Sequence, residues 1–361
     1  MKIVCTVTND LSHDQRMHRI CSTLQAAGHE VTLVGRLLPD SPTLPERTYR
    51  THRLPCRATA GKRFYLEFNY RLYRFLRAVE KEVICAVDLD TLLPAVLLRS
   101  TKVKVVYDAH EWFSETPEVV KRPVVRALWR GMGRGLVPRT DARYTVGQTI
   151  SEQLERDYGE PFQVVRNAPF KYNESYEEKA GGVIIYQGML NPGRGLDVAI
   201  KALIELPECS LTIVGSGPEE DRLRSLVATL SIQDRVEFMG FQPPERLPEL
   251  TSRAWLGINL LAGESPSYYY SLANKSLDYV QAGLPSLQMD FPEYRLLQQQ
   301  YGVFALLEEF SVAAFVRVVR QLLDQPEQYA ALRQNCMRAA DELCWEAEAP
   351  KLRAVYAALR R

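Results

Sequence analysis

The sequence predicts an α/β protein made of two doubly wound, Rossmann-like domains facing each other across a cleft. Three observations carry this reading. The chain has 361 residues, and a single core rarely grows beyond about 250–300 residues. Strand-like and helical segments alternate along it, the pattern of parallel sheets covered by helices. The alternation runs once through each half, and the halves are separated at Asn167–Lys179 by a polar, Pro-interrupted stretch without period. We therefore expect a first domain over 1–168, rejoined by a closing helix over 345–361, and a second domain over 169–344, with the polar stretch as hinge.

In the first half, Lys2–Val7 reads as a strand, Asp14–Ala27 as a helix stopped by Gly28, and Glu30–Gly35 as a second strand. Tyr65–Val83 has helical periodicity, and Val103–Tyr107 is a β-branched strand. In the second half, strands are expected over Val183–Tyr186, Ser210–Val214, Val236–Phe238 and Trp255–Leu260. Helices are expected over Gly195–Leu206, Glu219–Ser231 and Asn274–Ala282. The closing segment Trp345–Arg361 places Leu352, Val355, Tyr356 and Leu359 at helical spacing.

Composition narrows the classes. Hydrophobic residues make up 46% and charged residues 25%, which suits a globular protein and excludes a disordered chain, a collagen or a small disulfide scaffold. No apolar run approaches the ~18–20 residues of a membrane-spanning helix, and the first seven residues read as a strand, not a signal peptide. The seven cysteines form no CxxC pair and no His lies at metal-ligand spacing from one. Reduced thiols in a cytoplasmic protein without structural zinc follow as the expectation. Net charge is +1, but residues 1–175 hold 27 Lys and Arg against 20 Asp and Glu, and the remainder 18 against 24. A basic first half suits an anionic substrate or a membrane surface; a chance surface asymmetry gives the same numbers.

Ligands of open α/β sheets bind at the carboxyl ends of strands, so the loops after strands hold the candidate chemistry. The first, Thr8–Arg19, lacks GxGxxG and therefore disfavours a dinucleotide site. Its Asp10, His13 and Arg16 suit a polyhydroxyl or phosphorylated ligand, while capping by Asp10 or Ser12 accounts for one or two of its polar residues. The second, Val105–Glu115, puts His110 just past a buried strand, where an imidazole donates a hydrogen bond or moves a proton near pH 7, oriented by Asp108 or Glu111; a structural His fits the same position. Asp88 and Asp90 read as polar support near the cleft or as a cap and loop network. The third, Tyr186–Gly195, is Gly-rich, with Gly188 allowing close backbone approach and Arg194 at a helix entrance suited to a diphosphate; the alternative is an ordinary Gly-rich turn. The fourth, Ser265–Pro285, leads a Tyr-rich loop into a helix bearing Asn274, Lys275 and Asp278. Lys275 can hold phosphates and Asp278 can accept two ribose hydroxyls; Tyr packing beside a solvated Lys–Asp pair is the structural alternative.

These segments resemble the GT-B-fold, retaining glycosyltransferases of family 4 (glycosyl transferases group 1), over nearly the whole chain. The resemblance rests on Gly28–Val34, Leu211–Pro218, Arg235–Gly240, Ala282–Ser286 and the closing Trp345–Tyr356 segment, in order and spacing. It implies that His110 contacts the transferred sugar, that Arg194 neutralises the donor diphosphate, and that Asp278, the second carboxylate of the E-x7-E signature, holds the ribose. Asn274 and Lys275 fall in the phosphate-binding turn between the two signature acids. Two positions depart from the pattern: Tyr270 stands where the signature has its first Glu, and Met189 where the family has an Arg. Lys275 is expected to replace the missing cation, and Glu264 to reach the sugar in place of the missing acid.

The implied function is transfer of a sugar from a nucleotide-diphosphate sugar to an acceptor with retention at the anomeric carbon. The donor is a substrate, and no cofactor is expected; with no DxD-like carboxylate cluster suggesting a metal, the reaction is expected to be metal-independent. The acceptor, a lipid-linked or polysaccharide glycan of the cell envelope, is expected on the first domain, with Asp10, His13 and Arg16 as its contacts. Lys62–Arg77 and Lys121–Arg134 mix Arg with aromatic and aliphatic residues, which fits peripheral contact of a cytoplasmic protein with an anionic membrane or, equally, core-facing helices with a solvated Arg face. No nucleic-acid module accompanies them. Two other readings compete: a degenerate homologue that binds a nucleotide sugar or scaffolds a partner, supported by Met189 and Tyr270, and a nucleotide-sugar epimerase, which Tyr270 disfavours because it leaves one carboxylate fewer over the sugar.

Overall fold

The computed structural model describes residues 1–172 and 181–360. The later part of the expected hinge, from Asn173 to Lys179, lies outside the described residues. The chain divides into two compact units, Met1–Asn167 with Glu348–Arg361, and Ala168–Ala347. Each is a parallel, Rossmann-like α/β domain.

The first unit contains β1 (Lys2–Thr6), α1 (Gln15–Ala26), β2 (Glu30–Leu37), β3 (Arg50–Pro55), α2 (Gly61–Ala78), β4 (Val83–Val87), α3 (Leu92–Leu97), β5 (Lys104–Ala109), α4 (Pro117–Val120), α5 (Pro123–Leu136), β6 (Ala142–Thr145), α6 (Gln148–Tyr158) and β7 (Gln163–Val164). Its seven parallel strands run β3-β2-β1-β4-β5-β6-β7. The order reverses between β1 and β4, so the loops after those two strands diverge and leave room for a ligand. The sheet is buried on both sides, which explains the unbroken apolar runs of β1 and β4. Asp14 caps α1 by accepting from Met17 N at 2.9 Å. Helix α2 buries Phe64, Phe68, Leu72 and Leu76 at a four-residue spacing.

The second unit contains β8 (Val183–Gln187), α7 (Leu196–Ala202), β9 (Ser210–Val214), α8 (Glu220–Thr229), β10 (Val236–Gly240), α9 (Leu247–Arg253), β11 (Leu256–Asn259), α10 (Pro266–Tyr269), α11 (Asn274–Gln281), β12 (Ser286–Met289), α12 (Pro292–Tyr301), β13 (Phe304–Leu307), α13 (Val312–Asp324) and α14 (Pro326–Ala339). Its six-stranded sheet runs β10-β9-β8-β11-β12-β13 and switches between β8 and β11. Helix α15 (Trp345–Ala358) carries the chain out of this unit and back into the first, where Leu352, Val355 and Tyr356 are fully buried. Glu348 of this helix accepts from Arg166 N at 3.0 Å.

Several elements differ from the sequence expectation. The helix expected over Tyr65–Val83 begins at Gly61 and ends at Ala78; Val79 and Val83 continue the spacing of Leu72 and Leu76, so periodicity alone ran on into β4. Strand β3 was not expected because it lies at the sheet edge and is largely exposed and polar. Strand β12 is fully buried yet contains Ser286 and Gln288, which pair with each other at 2.9 Å. The helix expected over Gly195–Leu206 is only Leu196–Ala202. All seven cysteines are free and buried. Among the described residues, no helix is long and apolar enough to cross a membrane.

The turns after β8 and β9 touch so closely that one glycine has no alternative. Gly215 sits at φ +136°, and a Cβ there would stand 2.0 Å from the Gly188 carbonyl oxygen. Gly215→Ala is expected to cost about 2–4 kcal/mol through strain and overlap with backbone, read as a lower unfolding midpoint, whereas Gly181→Ala, with open space around it, should leave the midpoint nearly unchanged.

Candidate active site

In the first unit the loops after β1, β4 and β5 bring charged side chains together. Asp108, the penultimate residue of β5, has no exposure, and His110 follows the strand. The two Asp108 oxygens face different partners: Oδ1 lies 2.9 Å from Arg16 Nη2, and Oδ2 lies 3.0 Å from His110 Nε2. Burial would raise the Asp108 carboxyl, but the Arg16 guanidinium and His110 outweigh it and hold it at about 2. An ionised carboxylate only accepts, so it fixes the His110 proton on Nε2 and leaves Nδ1 as the acceptor of the neutral ring. The His110 backbone N–H donates to Asp88 Oδ1 at 2.9 Å, so both ends of the residue are held.

Asp88 and Asp90 stand at the end of β4. Asp88 adopts φ 54°, ψ 175°, a conformation L residues rarely take. Burial, then Glu111 and Asp90, push its carboxyl well above the usual range. Asp90 accepts from Thr8 Oγ1 at 2.8 Å, which ties the β1 and β4 loops across the switch point. Burial raises its carboxyl to about 6. The cap-and-network reading of these two residues thus describes their bonds, while their titration sets them apart from ordinary loop acids.

The residues expected at the acceptor separate. Arg16 is a correction: it is buried, pairs with Asp108, and donates from Nη1 to Val165 O at 3.1 Å. Its role is to orient Asp108, and through it His110. The cause is α1, which starts at Gln15 and turns Arg16 toward the sheet. Asp10 braces its own loop, accepting from Ser12 N at 3.1 Å and from Ser41 Oγ at 3.0 Å. His13 is exposed on the same loop.

In the second unit, β8, the turn after it and α11 build a cationic site. Gly188 follows β8 at φ +129°, and a Cβ there would lie 3.3 Å from Lys275 Nζ. Lys275, on the first turn of α11, places Nζ 3.8 Å from the centre of the Tyr186 ring. Arg194 lies over the Tyr268 ring at 4.9 Å and donates from Nη2 to its hydroxyl at 3.3 Å. Its Nε is buried without a hydrogen-bond partner among the described residues. Burial and then the charge of Arg194 lower Lys275 well below its ordinary value, against a smaller opposing effect of Asp278. Two basic side chains set on aromatic faces, with the charge of Lys275 disfavoured by burial and then by Arg194, suit an anion.

One turn along α11, Asp278 Oδ2 accepts from Gln187 Nε2 at 3.2 Å, and Gln187 Oε1 accepts from Thr251 at 2.9 Å. Asn274, the first residue of α11, is exposed. The turn before it is anchored by Tyr294, whose hydroxyl accepts from Ala273 N at 3.0 Å and from Asn259 Nδ2 at 2.9 Å. Tyr270 packs edge-on against Tyr269 at 5.0 Å. Met189 is 58% exposed, and Glu264 is exposed on the loop after β11. The helix entrance expected to help at Arg194 is the start of α7, which has only seven residues, so the charge there comes chiefly from Arg194 itself. Sequence reasoning did not single out Gln187, Tyr268 or Tyr294. The first two lay within quoted motifs, whereas Tyr294 carries no sequence signal because its role depends on a contact 21 residues away.

The model described as Glycosyltransferase Family 4 matches residues 14–168, and that described as Glycosyl transferases group 1 matches residues 170–338. The chain is 25% identical to α-D-kanosaminyltransferase of Streptomyces kanamyceticus over 42% of its length and 39% of that relative. It is 23% identical to glycogen synthase of Mycobacterium tuberculosis over 96% of its length and 91% of that protein. The chain spans less than half the length of several curated relatives, including the 48% matched in 2-deoxystreptamine glucosyltransferase of S. kanamyceticus. Among solved structures, sucrose-phosphate synthase of Thermosynechococcus elongatus superposes with a TM-score of 0.81 at 17% identity, covering 99% of both chains. HepE of Anabaena, solved in complex with UDP and glucose, superposes at 0.77 with 15% identity, again over 99% of both. These likenesses show the fold, GT-B.

The raised Asp90 carboxyl has a measurable consequence. Its folded value of about 6 exceeds the unfolded value, so the folded state binds more protons between about pH 4 and 6. Stability from this group is present below the unfolded value and is lost as pH rises through about 6. Asp90→Asn keeps an acceptor for Thr8 and removes the titration. Relative to wild type it is expected to gain up to about 3 kcal/mol between pH 4 and pH 8, measured by urea unfolding at both values; a difference independent of pH would disprove the assignment.

Proposed function

The chain belongs to the family 4 glycosyltransferases (glycosyl transferases group 1), and on that premise we propose that it transfers a sugar from a nucleotide-diphosphate sugar to an acceptor with retention of the anomeric configuration. The observation that carries the donor assignment is the pairing of Arg194 and Lys275 on Tyr268 and Tyr186, next to the Gly188 backbone. Burial and the neighbouring Arg194 disfavour the charged form of Lys275, and a bound diphosphate has the charge to offset both and to pair with Arg194. Asp278, one turn further along α11, accepts the ribose hydroxyls, and Asn274 lines the phosphate turn. Gly188 lets the backbone approach the donor, and Tyr270 lies at the sugar end, where the family signature has its first acid.

In the proposed reaction the acceptor oxygen attacks the anomeric carbon from the face the diphosphate leaves. The bond from that carbon to the diphosphate oxygen breaks, and the acceptor proton passes to the leaving phosphate. Negative charge grows on the diphosphate, so Arg194 and Lys275 act where stabilisation is most effective. His110 contacts the transferred sugar through Nδ1, which accepts from a sugar hydroxyl, with Asp108 and Arg16 as its positioning pair. No metal is assigned a part. The acceptor is a hydroxyl of a lipid-linked or polysaccharide glycan, and His13 is the remaining exposed candidate to contact it.

The test is nucleotide binding and release across UDP-, GDP- and ADP-sugars for wild type, Arg194→Ala, Lys275→Ala and His110→Ala. We expect one donor class to be bound and turned over, with EDTA without effect. Arg194→Ala and Lys275→Ala should each weaken donor binding by about 10–100-fold, the loss of a hydrogen bond to a charged group. His110→Ala should retain binding and lose turnover. Donor affinity should fall as pH rises above the depressed Lys275 value, because the bound diphosphate favours the protonated amine, and Lys275→Ala should remove that pH dependence. Binding without turnover, even with lipid extracts added, would support the nucleotide-sugar-binding homologue suggested by Met189 and Tyr270. Unchanged affinity in Lys275→Ala would remove the compensation for Met189.

A further inference from the structure

We propose that the outer faces of α2 and α5 in the first unit form a surface that docks on an anionic lipid bilayer. Helix α2 exposes Leu66 at 73% and Tyr70 at 62%, and α5 exposes Val124 at 81% and Leu128 at 61%. The two pairs each lie four residues apart, so each pair rises as one ridge along its helix. The helices meet just beneath these ridges: Tyr65 and Trp129, neighbours in sequence of Leu66 and Leu128, pack edge-on with ring centres 5.5 Å apart. Four large apolar side chains on two touching helices are therefore left without cover.

The surrounding charge identifies the occupant. The exposed residues around the ridges include Lys62, Arg63, Arg74, Arg77, Lys121 and Arg122, opposed by Glu118. The other arginines of α5 are paired with carboxylates: Arg126 bonds Glu115 at 3.1 Å, and Arg130 and Arg134 reach Asp157 at 3.5 and 2.8 Å. The basic stretch read from the sequence is thus partly neutralised inside the unit, and its outward charge sits at the Lys121–Arg122 end of α5 and along α2. Apolar ridges interleaved with long cations suit a bilayer: leucine and valine enter the acyl boundary, tyrosine stays at the headgroup level, and lysine and arginine reach back to anionic headgroups.

The inference goes beyond sugar transfer, and its readout needs no donor, so failure of the donor assignment leaves it standing. The test is co-sedimentation of the full chain with vesicles of phosphatidylcholine alone or with added phosphatidylglycerol. Wild type is expected to bind the anionic vesicles at least ~10-fold more tightly, and less so as salt rises. Val124→Asp with Leu128→Asp, and separately a K62E/R63E/K121E/R122E variant, should each lose ~10-fold or more of that binding. All substituted side chains point outward, and unchanged circular dichroism would confirm the fold. Equal binding to both vesicle types, or full binding by either variant, would overturn the proposal. So would a wild-type dimer that the Val124→Asp, Leu128→Asp variant dissolves without any vesicle binding, because the surface would then be a contact between copies of the chain.

Discussion

Asp108 is a carboxylate without solvent, and the arrangement of the first unit around its switch point follows from keeping it ionised. An isolated charge at that depth is costly enough to be neutralised by a proton. Arg16 prevents this from α1, and because Arg16 is itself buried, neither charge can be removed without stranding the other. The pair joins α1 to β5, and the second Asp108 oxygen is left to orient His110. The imidazole is therefore held by a chain of charge that begins on a helix far from it in sequence. Asp88 completes the arrangement from β4 by accepting from the His110 backbone. The strained conformation of Asp88 and the raised carboxyls beside it are sustained because the surrounding sheet admits little relaxation.

The second unit uses the same topology with the opposite charge. Its switch point lies between β8 and β11 as the first unit's lies between β1 and β4. Where the first collects carboxylates around one histidine, the second collects two cations on two tyrosines. The contrast agrees with the excess of Lys and Arg before residue 175 and of Asp and Glu after it only when the site is separated from the surface: the second half is acidic overall, yet its candidate site is cationic. Bulk charge thus describes solvent-facing helices, and the site is set by a few residues that burial makes strong.

The alternation of strands and helices, and with it the fold class, was legible because buried parallel strands such as β1, β5 and β8 are short apolar runs between loops. Strands β3 and β12 were not, since one is an exposed edge and the other pairs its polar side chains internally. The places of His110 and Arg194 in loops after strands, and of Lys275 and Asp278 on α11, were legible in the sequence. Arg16 was placed in the right loop but given an acceptor contact in place of its buried ion pair. A sequence shows that an arginine follows a strand, but not whether its helix turns it toward solvent or toward a carboxylate 92 residues away. The same blindness applied to α5, where three arginines that looked like surface charge are bound by Glu115 and Asp157.

Met189 shows why a departure in sequence need not be a departure in space. The family's cation at that position would extend from the loop after β8, and here the side chain there is an exposed thioether. A cation nevertheless reaches the same loop from α11, since Lys275 lies against Gly188 and the Tyr186 ring. Gly188 has no side chain to obstruct it, and Tyr186 is held in place by donating its hydroxyl to Met189 O at 2.8 Å. What the diphosphate requires is positive charge with a fixed direction, and it is indifferent to the element that supplies it. Moving the charge from a loop arginine to a helix lysine changes its character, however. Arginine stays protonated at any working pH, whereas burial and Arg194 hold the Lys275 amine well below its ordinary value, so an anion beside it favours the protonated form. In the proposed reaction the substitution therefore exchanges a permanent charge for one that the bound donor strengthens.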